Sequence, residues 1–236
     1  MVRIWMLLLA FWCGCLFAQD IGRQQFIDEA ANSYLRTANI QSPLYYGKEQ
    51  ESYPPASNHP YFVDWTFAKA RLSYSGVVYP EALLRLDMNR DELIVVSPDY
   101  RQIVLFPENV DFAELHGRHI IYFRSYGLPG SPSPGYYFLL YSGNCFVMEK
   151  QTAALILAND VGSRARYYFT FNTKYYLYKD GVYYNIRSQQ GLLKALSPYK
   201  KELKRFISVS RLDFRTNPKE FLTLTVKEYE NLSGLL

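Results

Sequence analysis

Between Arg71 and Phe123 the chain is cut into short apolar runs: RLSY, GVVY, ALLRLDM, ELIVVS, RQIVLF and RHIIYF. Each is too short for an ordinary helix, and each is bounded by turn residues. Backbone groups in such pieces find their partners in neighbouring strands, so the region reads as an antiparallel meander. Composition agrees, because 22 Tyr and 15 Phe suit a pleated, half-buried surface. The loop GLPGSPSPG, residues 127–135, interrupts the series. Strands resume in YYFLLYSGNCFVMEK, with Ser142-Gly143-Asn144 as the hairpin turn.

The stretch KYYLYKDGVYYNIRS, from Lys174 to Ser188, places five tyrosines around one Asp-Gly. A two-residue turn at Asp180-Gly181 pairs each residue before it with one after it. Tyr175, Leu177, Tyr184 and Ile186 then share an apolar face. Tyr176, Tyr178, Tyr183 and Arg187 share the other, together with Lys174 and Asn185. Tyrosine, with an apolar body and a polar tip, serves both faces. Because Tyr and Arg are favoured at binding hot spots, Tyr176, Tyr178, Tyr183 and Arg187 are the candidate binding residues. The competing reading is that C-terminal helices pack over that face.

After the hairpin the period changes to that of helices. Ser188 starts a short helix containing Leu192, Leu193 and Leu196. Ser197-Pro198 reads as an N-cap with Pro at the first helical position. Tyr199, Leu203, Phe206 and Ile207 follow as an apolar stripe, with Lys200, Lys201, Lys204 and Arg205 on the remaining surface. Asn217-Pro218 with Glu220 reads as a further start signal. Upstream, Gln24 to Thr37 has Phe26, Ala30 and Tyr34 at helical spacing. The following SPLYYGKEQESYPPASNHPYF reads as irregular chain around one edge strand.

Arg3 and the apolar Ile4–Phe17 have the form of a leader that is too short to span a bilayer of about 20 residues' thickness. Leu16 and Ala18 stand at the −3 and −1 positions, which predicts cleavage before Gln19. A lipoprotein signal ending at Cys15 is the rival, but Trp12 stands where a lipobox carries Leu. Cleavage leaves Cys145 as the lone thiol, so an internal disulfide is excluded. It also removes one positive charge from a net +4, leaving a balance too mild for nucleic acid. No further apolar run is long enough for a transmembrane span. The expected organisation is a signal peptide over 1–18 and a single domain over 19–236. That domain holds an N-terminal helix and irregular segment (19–65), antiparallel strands (66–187) and helices (188–236).

Chemistry-bearing motifs are sparse. HGRH, with His116 and His119, has a metal-compatible spacing on a helix. It reads better as a hairpin turn that sets His119 opposite Glu114. Cys145 lies directly after a Gly-Asn turn, at the start of a strand and with no motif around it, as a small, partly buried residue would. The Asp87, Asp91 and Glu92 carboxylates sit in LDMNRDEL, a charged turn between strands. There is no GxSxG elbow and no phosphate loop. No catalytic residue, metal ligand or cofactor is therefore assigned.

The order GVVYPEALLRLDMNRDELIVV, PGYYFLLYSGNCFVMEK, YYLYKDGVYYNIRSQQGLLKAL and KKELKRFI resembles a family of secreted envelope proteins of Bacteroidetes to which no activity is attached. Tyr46-Gly47 and His59-Pro60-Tyr61-Phe62 match that family's segments before the meander. Glu81-Ala82-Leu83-Leu84 and Leu86-Asp87 depart modestly from its central segment. The resemblance implies an exported protein, periplasmic or associated with the outer membrane. The expected fold is α+β and mainly β, a curved antiparallel meander or incomplete barrel with C-terminal helices packed on it. The expected role is a non-catalytic binding or interaction protein whose partner is an envelope protein or an apolar ligand. The alternatives are a carrier or sensor of an apolar ligand such as a lipid, and a hydrolase of envelope polymers.

Overall fold

The computed structural model describes residues 42–125, 127–157 and 167–234. The leader, with Cys13 and Cys15, and the helix expected over 24–37 lie outside the described residues. The strands are β1 (Lys48–Glu49), β2 (Ala68–Tyr74), β3 (Val77–Asp87), β4 (Glu92–Val96), β5 (Gln102–Val104) and β6 (Val110–Leu115). They continue as β7 (Arg118–Phe123), β8 (Gly135–Ser142), β9 (Phe146–Leu157), β10 (Tyr167–Lys179) and β11 (Val182–Ile186). All belong to one open antiparallel sheet in the order β1-β5-β4-β3-β2-β6-β7-β8-β9-β10-β11. The meander expected from sequence is thus two meanders. One runs outward from β2 to β5; the chain then returns through the turn at Pro107–Asn109 and lays β6 against the free side of β2.

The tight turns follow from their residues. Ser75-Gly76, His116-Gly117 and Asp180-Gly181 each have positive φ at both positions, the backbone that matches the twist of flanking strands. His116 is therefore a turn residue. His119 pairs with Glu114 across β6 and β7, its Nδ1 3.9 Å from Oε1. The Asp180-Gly181 hairpin has the register expected: Tyr175 pairs with Ile186, Leu177 with Tyr184 and Tyr178 with Tyr183.

Three helices follow: α1 (Gln189–Ala195), α2 (Lys200–Val209) and α3 (Pro218–Ser233). Ser188 caps α1 and Asn217 caps α3, each side-chain oxygen accepting a first-turn N–H. Ser197 does not cap α2. Its N–H bonds back to Lys194 O, residues 197–199 complete the turn out of α1, and the helix starts at Lys200 with Tyr199 as N-cap. The stripe itself holds, with Leu203 and Ile207 buried and Tyr199 and Phe206 packed beside them.

Two cores share one face of the long strands. Leu72, Leu84, Leu93, Val95, Ile103 and Phe138 lie within the strand core. Val147, Leu177, Leu192, Leu203, Phe221 and Val226 lie within the core under the helices. On β9, where alternate side chains face one way, Val147 belongs to the helical core and Ala153 to the strand core. Glu149 stands between them, fully buried, with Arg118 Nη2 at 2.5 Å and Lys219 Nζ at 3.2 Å. A charged layer separates the two cores. Among the described residues no helix is long and apolar enough to cross a membrane.

Candidate functional site

The stretch 50–62 ties three strands together before any side chain is considered. Gln50 N–H bonds to Gln102 O on β5, Ser57 N–H to Tyr167 O on β10, and Phe62 N–H to Leu86 O on β3. Asn58 imitates a strand: its Nδ2 donates to Phe169 O at 2.9 Å and its Oδ1 accepts Phe169 N–H at 2.7 Å. Beneath this strap and the loop 63–67 lies a pocket of about 600 Å³.

Arg85 reaches this pocket from β3. Its neighbours Leu84 and Leu86 point into the strand core, so alternation sends Arg85 to the other face. It is nonetheless 7% exposed. Its Nη1 donates to Trp65 O, and its Nη2 to Gln50 Oε1 at 2.9 Å and Gln102 Oε1 at 2.8 Å. The Tyr61 and Phe67 ring centroids lie 3.8 and 4.1 Å from its Cζ. Among the described residues no carboxylate is within ion-pair distance of it, and Nε has no partner. Burial pulls its pKa below the ordinary guanidinium value, while Tyr61 and Asp87 act the other way. Two ring contacts worth about 0.5–2 kcal/mol each and three hydrogen bonds offset a desolvation cost of several kcal/mol, but no opposite charge touches the guanidinium among the described residues.

Two rim loops hold aromatic side chains out. Val63, a β-branched residue, has φ 64°, a strained backbone for its type, and Trp65 beyond it is 65% exposed. The Asp64 carboxylate accepts Trp65 N–H at 2.6 Å, and that bond holds its pKa below the usual range. Tyr100, 88% exposed with φ 65°, tips a turn locked by Asp99. Asp99 accepts from Ser97 Oγ and from Arg101 Nε, the latter at 2.7 Å, and both lower its pKa. His59 stacks on Tyr61 at 5.9 Å, its buried Nδ1 without a partner. Aromatic platforms above a few fixed polar groups describe a small-molecule site.

The candidates taken from sequence lie elsewhere. Tyr176, Tyr178 and Tyr183 do come together, half-buried, on one face of the hairpin, while Tyr175, Leu177 and Ile186 are buried on the other. The rings of Tyr176 and Tyr183 pack with Phe123, Tyr137 and Met148 of the sheet rather than with helices, and the 127–135 loop bonds the edge of β11. Tyr183 N–H bonds to Pro129 O at 2.9 Å. Tyr183 meets Phe123 at 5.4 Å, and Tyr176 meets Tyr137 at 6.0 Å. Burial raises the pKa of Tyr176, and the Arg187 charge partly offsets it. Arg187 is exposed and lines a separate cleft beside the helices.

Cys145 is buried, and the fully buried Glu230 accepts its N–H at 2.5 Å. Burial first, then Glu230, pushes the thiol up to about 12, the opposite of an activated nucleophile. Among the described residues no group of three or more His, Cys, Asp or Glu is placed to hold a metal ion. Asp87, Asp91 and Glu92 do occupy the β3–β4 turn, but Asp87 is fully buried, accepting Tyr53 Oη at 2.8 Å. Asp91 pairs with Lys150 Nζ at 2.5 Å. Compared with known protein families, curated proteins and solved structures, the chain matches none.

Proposed function

We propose that the protein is a non-catalytic binding protein exported to the bacterial cell envelope, and that it binds a polar, ring-bearing ligand with an acidic group over Arg85. The observation that carries this reading is a buried cation with no acid in ion-pair distance among the described residues, in a pocket rimmed by two exposed aromatic rings. The lining acids Glu51 and Glu49 are paired with Arg90 and Arg101. A ligand carboxylate supplies the opposite charge that Arg85 lacks at contact distance. The apolar face of a sugar ring suits Trp65 or Tyr100, and Gln102, whose amide oxygen is held by Arg85, offers its amide N–H groups to the hydroxyls. Export rests on the leader-like first 18 residues and on the resemblance to secreted envelope proteins.

Trp65 is the single tryptophan of residues 19–236, so its emission reports on the pocket. Uronic-acid oligomers are expected to shift that emission saturably, neutral glucose oligomers only weakly, and Arg85→Met to remove the response to the acidic series. A parent protein silent to both series, or an Arg85→Met variant responding like the parent, would count against the assignment. The carrier reading draws on a hollow of about 260 Å³ bounded by Ile121, Phe123, Leu139, Met148 and Tyr183. A lipid co-purifying from the native host, found by native mass spectrometry, would favour it.

A further inference from the structure

Between the β10–β11 hairpin and the helices lies a second cleft, of about 1020 Å³. Cations from three separate elements line it. Arg187 follows β11, Lys204 belongs to α2, and Arg215 lies in the turn between α2 and α3. All three are exposed, and among the described residues none is in an ion pair. The acid on the same wall, Asp213, is already committed. Its Oδ1 accepts Arg215 N–H at 3.1 Å, and its Oδ2 accepts Thr216 N–H at 3.2 Å and Thr216 Oγ1 at 2.6 Å. These bonds, Thr216 first, hold the Asp213 carboxyl below the usual range, so it stays ionised at neutral pH. Three positive charges against one negative leave two unmatched.

The remaining wall is aromatic. Tyr175 and Phe214 meet edge to face at 6.1 Å, and Phe214 is braced by Phe221 at 5.6 Å. Phe221 is fully buried in the helical core, so this wall is fixed before any ligand arrives. A phosphomonoester carries about −1.5 to −2 charges at pH 7, which matches the surplus. Its oxygens also suit the planar forks of two arginines. A single carboxylate would satisfy half of it.

We propose that this cleft binds a phosphomonoester borne on a ring-bearing group, with the phosphate at Arg187, Lys204 and Arg215 and the ring against Tyr175 and Phe214. The site shares no lining residue with the Arg85 pocket, so either assignment can fail without the other. A soluble phosphorylated molecule and a phosphomonoester lipid headgroup offer the same chemistry, and the test separates them.

Phenyl phosphate is titrated into the purified protein by calorimetry, with phenol as the uncharged probe. Sedimentation with phosphatidylinositol 4-phosphate vesicles, against phosphatidylinositol vesicles, forms the second arm. Phenyl phosphate is expected to bind and phenol not to. Arg187→Gln with Lys204→Gln is expected to weaken binding by at least about tenfold, the scale of lost charge-assisted hydrogen bonds. Lys201→Gln, an exposed change on α2 outside the cleft, should stay within about twofold. Sedimentation with phosphatidylinositol 4-phosphate, lost in the same double variant, assigns a lipid source. Phenyl phosphate binding without sedimentation assigns a soluble one. Absence of binding in both arms overturns the proposal. Equal weakening by Lys201→Gln also overturns it, because the attraction would then be diffuse. Arg215→Gln alone, with an unchanged thermal melt, repeats the test should the double variant unfold.

Discussion

Glu149 and Arg85 are both ionised side chains sunk into the same sheet, and their surroundings differ in kind. Glu149 sits between the two cores with cations on either side, from β7 and from α3. Its charge is answered within the protein, and it joins the strand half to the helical half. Arg85 is answered by neutral carbonyls and two rings, at the floor of a pocket whose rim holds exposed aromatics. A balanced buried charge holds structure together, whereas an unbalanced one beside a cavity leaves room for a partner of opposite sign.

The largest expected effect tests the balanced site. Arg118→Met leaves Glu149 buried with one cation, Lys219, and the neutral Gln151 amide at 2.6 Å, and should cost about 3 kcal/mol. For a domain of this size that lowers Tm by about 6–12 °C in a thermal melt. A fall under about 2 °C would show that Glu149 is not held as described. Next comes the aromatic face of the hairpin. Tyr176→Ala with Tyr183→Ala removes two half-buried rings from Phe123, Tyr137 and Met148, and should cost about 2–3 kcal/mol, below the range for fully buried aromatics. A melt unchanged by that pair would return this face to the list of recognition surfaces.

Arg85→Met should change stability by no more than about 1 kcal/mol in either direction, because the lost ring contacts and hydrogen bonds oppose the relieved desolvation. An effect equal to that of Arg118→Met would erase the contrast between the two charges. Alkaline titration sharpens it from the other side. Burial, and then Glu149, raises the Tyr175 hydroxyl to about 12 from its ordinary 10.0. The unfolded chain therefore releases this proton first. The contribution is complete below pH 10 and is lost as pH rises toward 12. Denaturant midpoints between pH 8 and 12 should fall on the alkaline side, and less steeply in Glu149→Gln. The smallest expected effect is Trp65→Ala, within about 0.5 kcal/mol in stability, with calorimetric binding of the acidic oligomer lost.

Local signals were readable in the sequence, and contacts made at a distance were not. Asp180-Gly181 fixes its hairpin register by itself, and Ser188 and Asn217 announce their helices with their own side chains. Ser197-Pro198 carries the same signal as Asn217-Pro218, yet its N–H is held by the preceding helix. Arg85 reads in ALLRLDM as the solvent-facing member of an alternating strand. Its burial depends on Gln50, Tyr61 and Trp65, which pattern does not connect to it. Glu149 is equally silent in FVMEK, since Arg118 and Lys219 come from other elements. The Tyr176, Tyr178 and Tyr183 face was found as a face, but Phe123 and Tyr137, which pack against its rings, were beyond the hairpin's own pattern.

The return of the chain from β5 to the free side of β2 has a kinetic consequence. Within each arm, from β2 to β5 and from β6 to β11, every neighbour in the sheet is also a neighbour in sequence. Such pairs close short loops and form early. Joining the arms requires β2 to find β6 across three intervening strands, a contact of higher entropic cost that grows only slowly with loop length. Folding is thus expected to pass through two separately zipped arms whose meeting at β2 is the late event. Substitutions in the β2–β6 ladder, such as Ala113→Gly opposite Leu72, should slow folding more than equally destabilising ones at the outer end of either arm.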